Sequence, residues 1–311
     1  MTKIVKFDKS HIEGARELAL ANYNEEKAAV VGLPSVAEIP ADAYEEFVEN
    51  GLGVAMLDGD SLLGFLCCDD PWENAFGTGA GSVLVPIHGH GTVAEKRTMI
   101  YKKLYQAAAE IWVGKGIVYH TIGLYTHDLH AIAMFFPCGF GIRHIDATRP
   151  MTNFVHEVCE AVVFEELAKA DVAKIRDMRK ALNDHLGESP CFASLSAANF
   201  DSWIARAEAR DSRVFVALQG PEPIAYIEVT KDGENFATYD DKMQSICGAF
   251  CVPRLRGKGI MQGLLNHVIS QLNNDGISSL GVDFESFNLA SYGFWMKYFT
   301  TYIYYVARRI N

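Results

Sequence analysis

The chain has 311 residues, of which 49% are hydrophobic, 11% aromatic and 22% charged, a composition typical of a globular protein. The net charge of −11, from 28 Lys and Arg against 39 Asp and Glu, argues against nucleic acid or an anionic membrane as the main partner. At about 150 residues per domain, the length predicts two domains. No apolar run approaches the ~18 residues of a membrane span, and the N-terminus lacks the apolar core of a signal peptide, so we expect a soluble, cytoplasmic protein.

The predicted elements of the first half begin with a strand at residues 3–7, a helix at 11–30 and a shorter helix at 41–50. A hairpin follows, and then a strand that ends in Val85-Pro86, a glycine-rich turn and a long amphipathic helix. The second half repeats this order, from a strand at 161–164 to a strand that ends in Val252-Pro253. The order β–α–α–β–β–β–α–β–α–β predicts a mixed α/β fold with a largely antiparallel central sheet in each half.

A shared spacing supports a duplication. Each long helix ends at a glycine, Gly116 or Gly276, and a strand follows. The polar residues that close those strands, Asp128 and Asn288, each lie 12 positions beyond their glycine. We therefore predict a boundary between Met151 and Glu160, with domains at 1–155 and 156–311.

The turn Arg254-Leu255-Arg256-Gly257-Lys258-Gly259 leads directly from a strand into a helix. Backbone N–H groups at a helix N-terminus bind phosphate, and glycines let the backbone approach the anion closely. A Walker loop requires Ser or Thr after Gly-Lys, but Gly259 follows Lys258. A dinucleotide fingerprint requires a parallel βαβ unit, which the predicted strand order does not provide.

The spacing Arg254-x-x-Gly257-x-Gly259, after a strand that ends in Val252-Pro253, resembles the pyrophosphate loop of the GNAT superfamily of N-acetyltransferases. The later strand, Asn288 and the aromatic helix around Tyr292 and Tyr298 also match that family's order. The resemblance implies two tandem acyl-CoA N-acyltransferase (GNAT) folds, with largely antiparallel central sheets flanked by helices. It also implies that acetyl-CoA is the cosubstrate of the second domain, held by residues of the loop and its flanks: Val252, Arg254, Arg256, Gly257, Lys258, Gly259 and Asn288.

The resemblance implies transfer of an acetyl group to an amine, which needs a base for the amine and a proton donor for the thiolate. The family's usual acid Tyr position holds Trp295 here, so Tyr292 and Tyr298 become the candidate acids. The strand before the loop has no carboxylate, which makes Glu285 the first candidate base, with Glu228 as a substitute. All of these aromatic and acidic side chains also have a purely structural interpretation.

The first half has a modified copy of the turn, in which Gly89 and Gly91 correspond to Gly257 and Gly259. Histidines replace its basic residues, so we predict a degenerate GNAT-like domain that binds acetyl-CoA poorly or not at all. The pairs His88-x-His90 and His127-x-x-His130 lack a completing carboxylate or cysteine, and we expect no metal site. The seven cysteines form no Cys-x-x-Cys pair, which indicates reduced thiols rather than disulfides.

The acidic charge mildly favours a cationic acceptor, and we expect a small-molecule amine, with a peptide N-terminus or a lysine as open alternatives. A non-catalytic acyl-CoA-binding or interaction protein is the competing interpretation. A nucleotide-binding enzyme that uses the same turn is a third interpretation. Because two fused copies can replace a dimer of single domains, we expect a monomer or a homodimer.

Overall fold

The structure is a computed structural model that describes residues 2–75, 78–157, 161–193, 195–231, 233 and 235–310. Cys159 and the end of the predicted boundary at Glu160 lie outside these residues. The chain forms two compact units: unit 1 comprises Met1–Val31, Ser35–Asp146 and Thr301–Asn311, and unit 2 comprises Gly32–Pro34 and Ala147–Thr300. In the described ranges, no helix is both long and apolar enough to cross a membrane.

Among its described residues, unit 1 contains four α-helices, two groups of paired strands and part of strand β7. The bounds of its elements are β1 Thr2–Lys6, α1 Ile12–Ala29, α2 Glu45–Asn50, β2 Val54–Asp58, β3 Ser61–Leu66, β4 Gly81–Val85, β5 His90–Thr92, α3 Arg97–Gly114, β6 Ile117–Tyr125, α4 Leu129–Phe135 and β7 Gly141–Pro150. The first group of strands has the order β1-β2-β3-β5, and all of its pairs are antiparallel. In the second group, β4 pairs with β6 in parallel.

In its described residues, unit 2 contains the later helices and a further group of paired strands. The bounds of the later elements are β8 Val163–Glu166, α5 Arg176–Gly187, α6 Ala197–Ala209, β9 Ser212–Gln219, β10 Glu222–Thr230, β11 Met243–Cys251, α7 Ile260–Asn274, β12 Ser279–Glu285, α8 Leu289–Tyr298 and β13 Thr300–Arg309. Strands β8 to β11 pair in antiparallel order, and β12 adds in parallel to β11. The predicted mixed α/β fold with a largely antiparallel sheet is confirmed.

Helix α7 shows why the sequence pattern was informative. Its apolar positions recur with a period of 3.6 residues and are buried in unit 2: Ile260, Leu264, Leu265, Val268, Ile269 and Leu272. The helix ends before Gly276, whose φ of +83° is a backbone conformation that glycine adopts without strain. This packing fixes the N-terminus of α7 at the end of β11.

The last strand of the sequence belongs to unit 1, so the two units are not simply the two halves of the chain. Strand β13 pairs antiparallel with β6 from Ile303–Tyr125 to Arg309–Tyr119, so residues 301–311 belong to unit 1. The predicted domains 1–155 and 156–311 therefore differ from the compact units at both ends. The physical reason is that β6 and β13 bury apolar side chains such as Ile122 and Val306 in the same unit.

The glycine turn of the first half also differs from the prediction, because His90–Thr92 form strand β5 beside β3. A Cβ atom at Gly91 would lie 3.0 Å from the backbone nitrogen of Ala19, and one at Gly89 would lie 2.8 Å from the carbonyl oxygen of Cys67. These glycines therefore allow close packing of protein against protein. Helix α3 begins only at Arg97, whose buried guanidinium pairs with Glu25 at 2.7 Å.

Asp69, which follows β3, provides a test of the packing of unit 1. Burial, with smaller contributions from Glu46 and Asp70, raises the pKa of Asp69 to about 7. Since an unfolded Asp has a pKa of about 3.9, the folded state holds this proton more tightly than the unfolded state. The stabilisation is present below about pH 4 and is lost as the pH rises through about 7.

We therefore expect Asp69→Asn to become progressively more stable than the wild type as the pH rises from 4 to 8. Urea denaturation of the two proteins across this range measures the difference. Asp70→Asn, at the exposed neighbouring position, serves as the control. Its difference from the wild type in the free energy of unfolding should change less with pH. If the free energies of unfolding of Asp69→Asn and the wild type changed with pH in parallel, the raised pKa of Asp69 would be contradicted.

Candidate active site

Strands β11 and β12 pair at one end and separate at the other. Their parallel pairing covers Met243–Ser279 to Ile246–Val282, whereas β11 continues to Cys251. The register between β10 and β11 shifts at this point, because Glu228 pairs with Gly248 and Val229 pairs with Ile246. Cys247 is thus the extra residue of a β-bulge, which bends β11 while its pairing with β10 continues to Cys251. The bulge opens one side of the C-terminal half of β11.

The backbone groups that face this opening follow from the pairing pattern. The Val252 N–H donates to the Ile224 carbonyl at 3.0 Å, which makes Val252 and Ile224 a hydrogen-bonded pair. Hydrogen-bonded pairs alternate along antiparallel strands, so the backbone groups of Ala249 and Cys251 point away from β10. The Cys251 carbonyl indeed accepts a hydrogen bond from Arg256 Nε at 3.1 Å.

Val252, which the resemblance implies among the residues that hold acetyl-CoA, has its backbone groups engaged within the protein. The Val252 N–H is used by β10, and its carbonyl accepts from the Leu255 N–H at 3.0 Å. The backbone groups of Ala249 and the N–H of Cys251 therefore face the side on which an extended ligand would pair, while the Cys251 carbonyl accepts from Arg256. Cys251 and Val252 differ by one position in the strand. Only the observed hydrogen bonds show which of the two has backbone groups that face the opening.

The turn after β11 presents the N-terminus of α7. Gly259 is the N-cap residue, with φ of +78°, and no side chain in the described residues caps the helix through a hydrogen bond. The first N–H groups of a helix have no partner within the helix, and they carry the positive end of its dipole. Gly257 has φ of +79°, and a Cβ atom there would meet no heavy atom within 4 Å. The turn thus leaves open space in front of a helix N-terminus.

The basic residues of the turn take different positions. Arg256 lies over the Phe250 ring, with the guanidinium carbon 5.5 Å from the ring centroid. Arg254 is exposed and lies 3.6 Å from Glu222, and Lys258 is partly buried. Arg256 and Gly257 line a cavity beside the turn, whereas Arg254, Lys258, Gly259 and Val252 do not.

A cavity of about 410 Å³ lies in unit 2 between the end of β11, the first turn of α7, helix α8 and the last turn of α5. Its wall is mainly apolar, with a few polar groups, as ligand sites commonly are. The residues that line it are Leu182, His185, Ala249, Phe250, Cys251, Leu255, Arg256, Gly257, Ile260, Met261, Gln262, Asn288, Ala290, Ser291, Gly293, Phe294, Trp295 and Lys297. The cavity therefore connects the open edge of β11 with the N-terminus of α7.

Asn288, one of the residues that the resemblance implies for acetyl-CoA binding, lies at the N-terminus of α8. Its side chain caps α8 by accepting from the Ser291 N–H at 3.3 Å, and it is buried in the cavity wall. Asp128 caps α4 in unit 1 through the same contact, accepting from the Ala131 N–H at 3.0 Å. The matched spacing in the sequence thus reflects two equivalent helix caps.

The three predicted catalytic residues lie outside the residues that line the cavity. Tyr292 is 41% exposed and packs edge-on against Phe284, and Tyr298 stacks on Phe154 with ring centroids 4.4 Å apart. Glu285 ends β12, and its backbone carbonyl accepts from the Asn288 N–H at 3.0 Å. Their assignment as base and acids stays a prediction. Trp295, at the position of the family's acid, is buried in the cavity wall.

Glu228, the substitute base, forms a buried ion pair that sequence reasoning missed. Its Oε2 accepts from Arg179 Nη2 at 2.7 Å, and its Oε1 accepts from the Ser212 hydroxyl at 2.7 Å. Both charged side chains are almost fully buried. Because β10 and α5 are far apart in the sequence, only the folded structure shows that Arg179 and Glu228 meet.

His185 is the second residue that sequence reasoning missed. It lies in the last turn of α5 and lines the same cavity as the end of β11. A lone histidine on a helix has no motif around it, so no sequence pattern pointed to this position. In the described part of the chain, no group of His, Cys, Asp or Glu side chains is arranged to hold a metal ion.

Comparison with known proteins agrees with this geometry. Residues 178–299 match the model of the acetyltransferase (GNAT) family. The matched segment is a GNAT acetyltransferase domain. It contains the opened strand, the glycine turn and the cavity. No curated protein matches the chain.

Solved structures extend the likeness in fold to nearly the whole chain. A GCN5-related N-acetyltransferase from Sphaerobacter thermophilus has a TM-score of 0.62 at 11% identity, over 99% of this chain and 95% of that one. A GNAT-family acetyltransferase from Colwellia psychrerythraea has a TM-score of 0.52 at 13% identity, over 99% of this chain and 100% of that one. At this identity, the likeness shows the fold: unit 2 carries a GNAT domain within a chain of GNAT-type architecture.

Proposed function

We propose that the protein is an N-acetyltransferase that transfers the acetyl group of acetyl-CoA to an amine, and that unit 2 binds the cosubstrate and performs the reaction. The observation that carries the proposal is the cavity that runs from the N-terminus of α7 to the unpaired edge of β11. One end offers N–H groups and Arg256 to an anion, and the other offers the backbone groups of Ala249 and the N–H of Cys251.

The residues present fit acetyl-CoA. Its pyrophosphate is an anion of the kind that a helix N-terminus binds, and the open space at Gly257 allows close approach. Its pantetheine arm is an extended amide chain, which pairs with an open strand edge. The bound cosubstrate supplies a thioester carbonyl, and a backbone N–H of Ala249 or Cys251 is available to stabilise the charge on its oxygen during transfer.

The acceptor we propose is a small-molecule amine. The net charge of the chain, −11, favours a cationic acceptor by electrostatic steering. The amine must lose a proton to attack, which requires a proton acceptor near the thioester. We propose that unit 1 does not bind acetyl-CoA, because Gly89 and Gly91 pack against protein atoms where the second turn has open space.

Release of free thiol from acetyl-CoA, followed with a disulfide dye, tests the activity. The panel of acceptors comprises spermidine, glucosamine, free amino acids and a peptide with one N-terminal and one lysine amine. We expect amine-dependent thiol release with a small polycation or amino sugar, and a mass increase of one acetyl group on that acceptor. Binding of acetyl-CoA without thiol release for any amine would contradict the enzyme assignment.

A non-catalytic acyl-CoA-binding protein is the second candidate. It is favoured by one observation, that Glu285, Tyr292 and Tyr298 do not line the cavity. The same experiment separates the two functions, because a binding protein retains affinity for acetyl-CoA and releases no thiol.

A further inference from the structure

Strands β11 and β12 separate at a defined point, which we call the fork. Their last paired residues are Ile246 and Val282. Continuing the parallel register by one position places Cys247, the bulge residue, opposite Asp283. From there the open edge of β11 runs on to Cys251. Asp283 is therefore the first residue of β12 beyond the pairing, at the apex of the fork.

The side chain of Asp283 lies on the face of the sheet away from α8. A Cβ atom at Gly281 would lie 2.9 Å from Ser245 Oγ, so these two positions share a face. Asp283 follows Gly281 by two residues and points to the same face, because side chains alternate along a strand. Phe284 points to the other face, where it packs against Tyr292 of α8 with ring centroids 6.3 Å apart. An acceptor can therefore approach Asp283 from the face that α8 does not cover.

Two carboxylates, those of Glu228 and Asp283, lie near the bulge residue. Burial and the charge of Glu228 raise the pKa of the Cys247 thiol, Arg210 opposes them, and the charge of Asp283 adds to the rise. The Glu228 carboxylate is buried in its ion pair with Arg179. Asp283 is partly exposed. Of the two, Asp283 is thus the carboxylate that an amine from solution can reach.

The length of the open edge places the reacting end of the proposed cosubstrate at the fork. Cys251 ends β11 just before the turn at which we propose that the pyrophosphate binds, and Cys247 lies four positions earlier. Four positions span about 13 Å of extended strand. The pantetheine arm has about as many bonds between phosphate and sulfur as four residues of backbone, so it also extends to about 13 Å. An arm that pairs with the open edge therefore ends with its thioester beside Cys247 and Asp283.

We propose that Asp283 binds the acceptor amine at the fork, an inference that rests on the proposed function. Its carboxylate accepts a hydrogen bond from the ammonium group of the acceptor, and the charge on both partners makes such a contact strong. The contact holds the nitrogen beside the thioester carbon. The site thus favours an acceptor that carries its positive charge on the nitrogen to be acetylated.

Binding of the acceptor to the complex of the whole protein with CoA tests this role, because CoA carries no acetyl group and no transfer occurs. The acceptor is the amine that gives the fastest thiol release in the panel. We expect Asp283→Asn to weaken acceptor binding by about 10- to 100-fold, the loss of one hydrogen bond between charged groups. The acetyl-CoA affinity should stay within about threefold of the wild type.

Asp241→Asn is the matched control, because it makes the same change of charge in the exposed turn before β11, at the end of the strand away from the fork. It should bind the acceptor like the wild type. Wild-type acceptor affinity in Asp283→Asn, or an equal loss in Asp241→Asn, would overturn the inference alone. Failure of the wild type to bind acetyl-CoA or to use any amine would overturn the proposed function and this inference together.

Asp283→Lys tests the placement of the thioester without a free acceptor. The introduced amine nitrogen loses a proton to water and bonds to the carbonyl carbon of acetyl-CoA. The carbon–sulfur bond breaks, and the thiolate takes up a proton and leaves as CoA. We expect a mass increase of one acetyl group at position 283, and none at position 241 in Asp241→Lys over the same time. Equal acetylation at the two positions, or none at position 283 in a variant that binds acetyl-CoA, would overturn the placement.

Discussion

Replacing Arg179 with methionine is expected to lower the free energy of unfolding by about 3–5 kcal/mol, the usual cost of leaving one partner of a buried ion pair behind. Arg179 is fully buried, and its Nη2 donates to Glu228 Oε2 at 2.7 Å. Without the guanidinium, the Glu228 carboxylate remains in an environment with little water. Urea denaturation, followed by circular dichroism, measures the change.

Two further variants separate this cause from a simple loss of packing. Arg179→Met combined with Glu228→Gln removes both charges and should recover most of the lost stability. Lys180→Met removes an exposed pair with Asp184 at 2.6 Å on the same helix and should cost only about 1 kcal/mol or less. Equal losses in the single and double variants would show that the charge of Glu228 is not the cause.

Gly257→Glu is expected to weaken acetyl-CoA binding by at least about 100-fold. The substitution places a carboxylate in the open space before α7, where we propose that the pyrophosphate binds. Two like charges about 4 Å apart near a protein surface repel by about 4 kcal/mol, and each 1.4 kcal/mol is about a tenfold change in Kd. Quenching of the fluorescence of Trp295, which lines the cavity, provides the binding signal.

Gly276→Glu is the matched control for this substitution. Gly276 has φ of +83°, close to the +79° of Gly257, and a Cβ atom there also meets no heavy atom within 4 Å. Both variants therefore carry similar backbone strain, but Gly276 lies at the opposite end of α7. We expect Gly276→Glu to bind acetyl-CoA with near wild-type affinity. Equal losses of acetyl-CoA affinity in the two variants would indicate backbone strain in α7 as the cause, rather than charge repulsion at the turn.

The sequence was most informative where a local pattern has a local cause. The apolar positions of α7 recur with helical spacing because one face of that helix is buried. Asp128 and Asn288 occur at equal distances from a glycine because both cap a short helix after a strand. Such features involve neighbouring residues, so spacing alone predicted the fold class and the position of the glycine turn.

Features that depend on distant parts of the chain could not be predicted in this way. The pairing of β13 with β6, the ion pair of Arg179 with Glu228 and the position of His185 beside β11 each join remote segments. The backbone groups of β11 that face away from β10 could not be predicted either, because hydrogen-bond alternation depends on the register of β11 with β10. The aromatic residues of α8 looked alike in the sequence, yet Trp295 lines the cavity and Tyr298 stacks on Phe154.

Calorimetric titration of the wild-type protein with acetyl-CoA tests the central proposal most directly, with ATP titrated in parallel. The open turn before α7 and the filled turn of unit 1 predict a single site per chain for acetyl-CoA, and no comparable heat with ATP. Two sites per chain would contradict the assignment of unit 1. No heat with acetyl-CoA from the folded protein, or binding of ATP in its place, would contradict the acetyltransferase proposal itself.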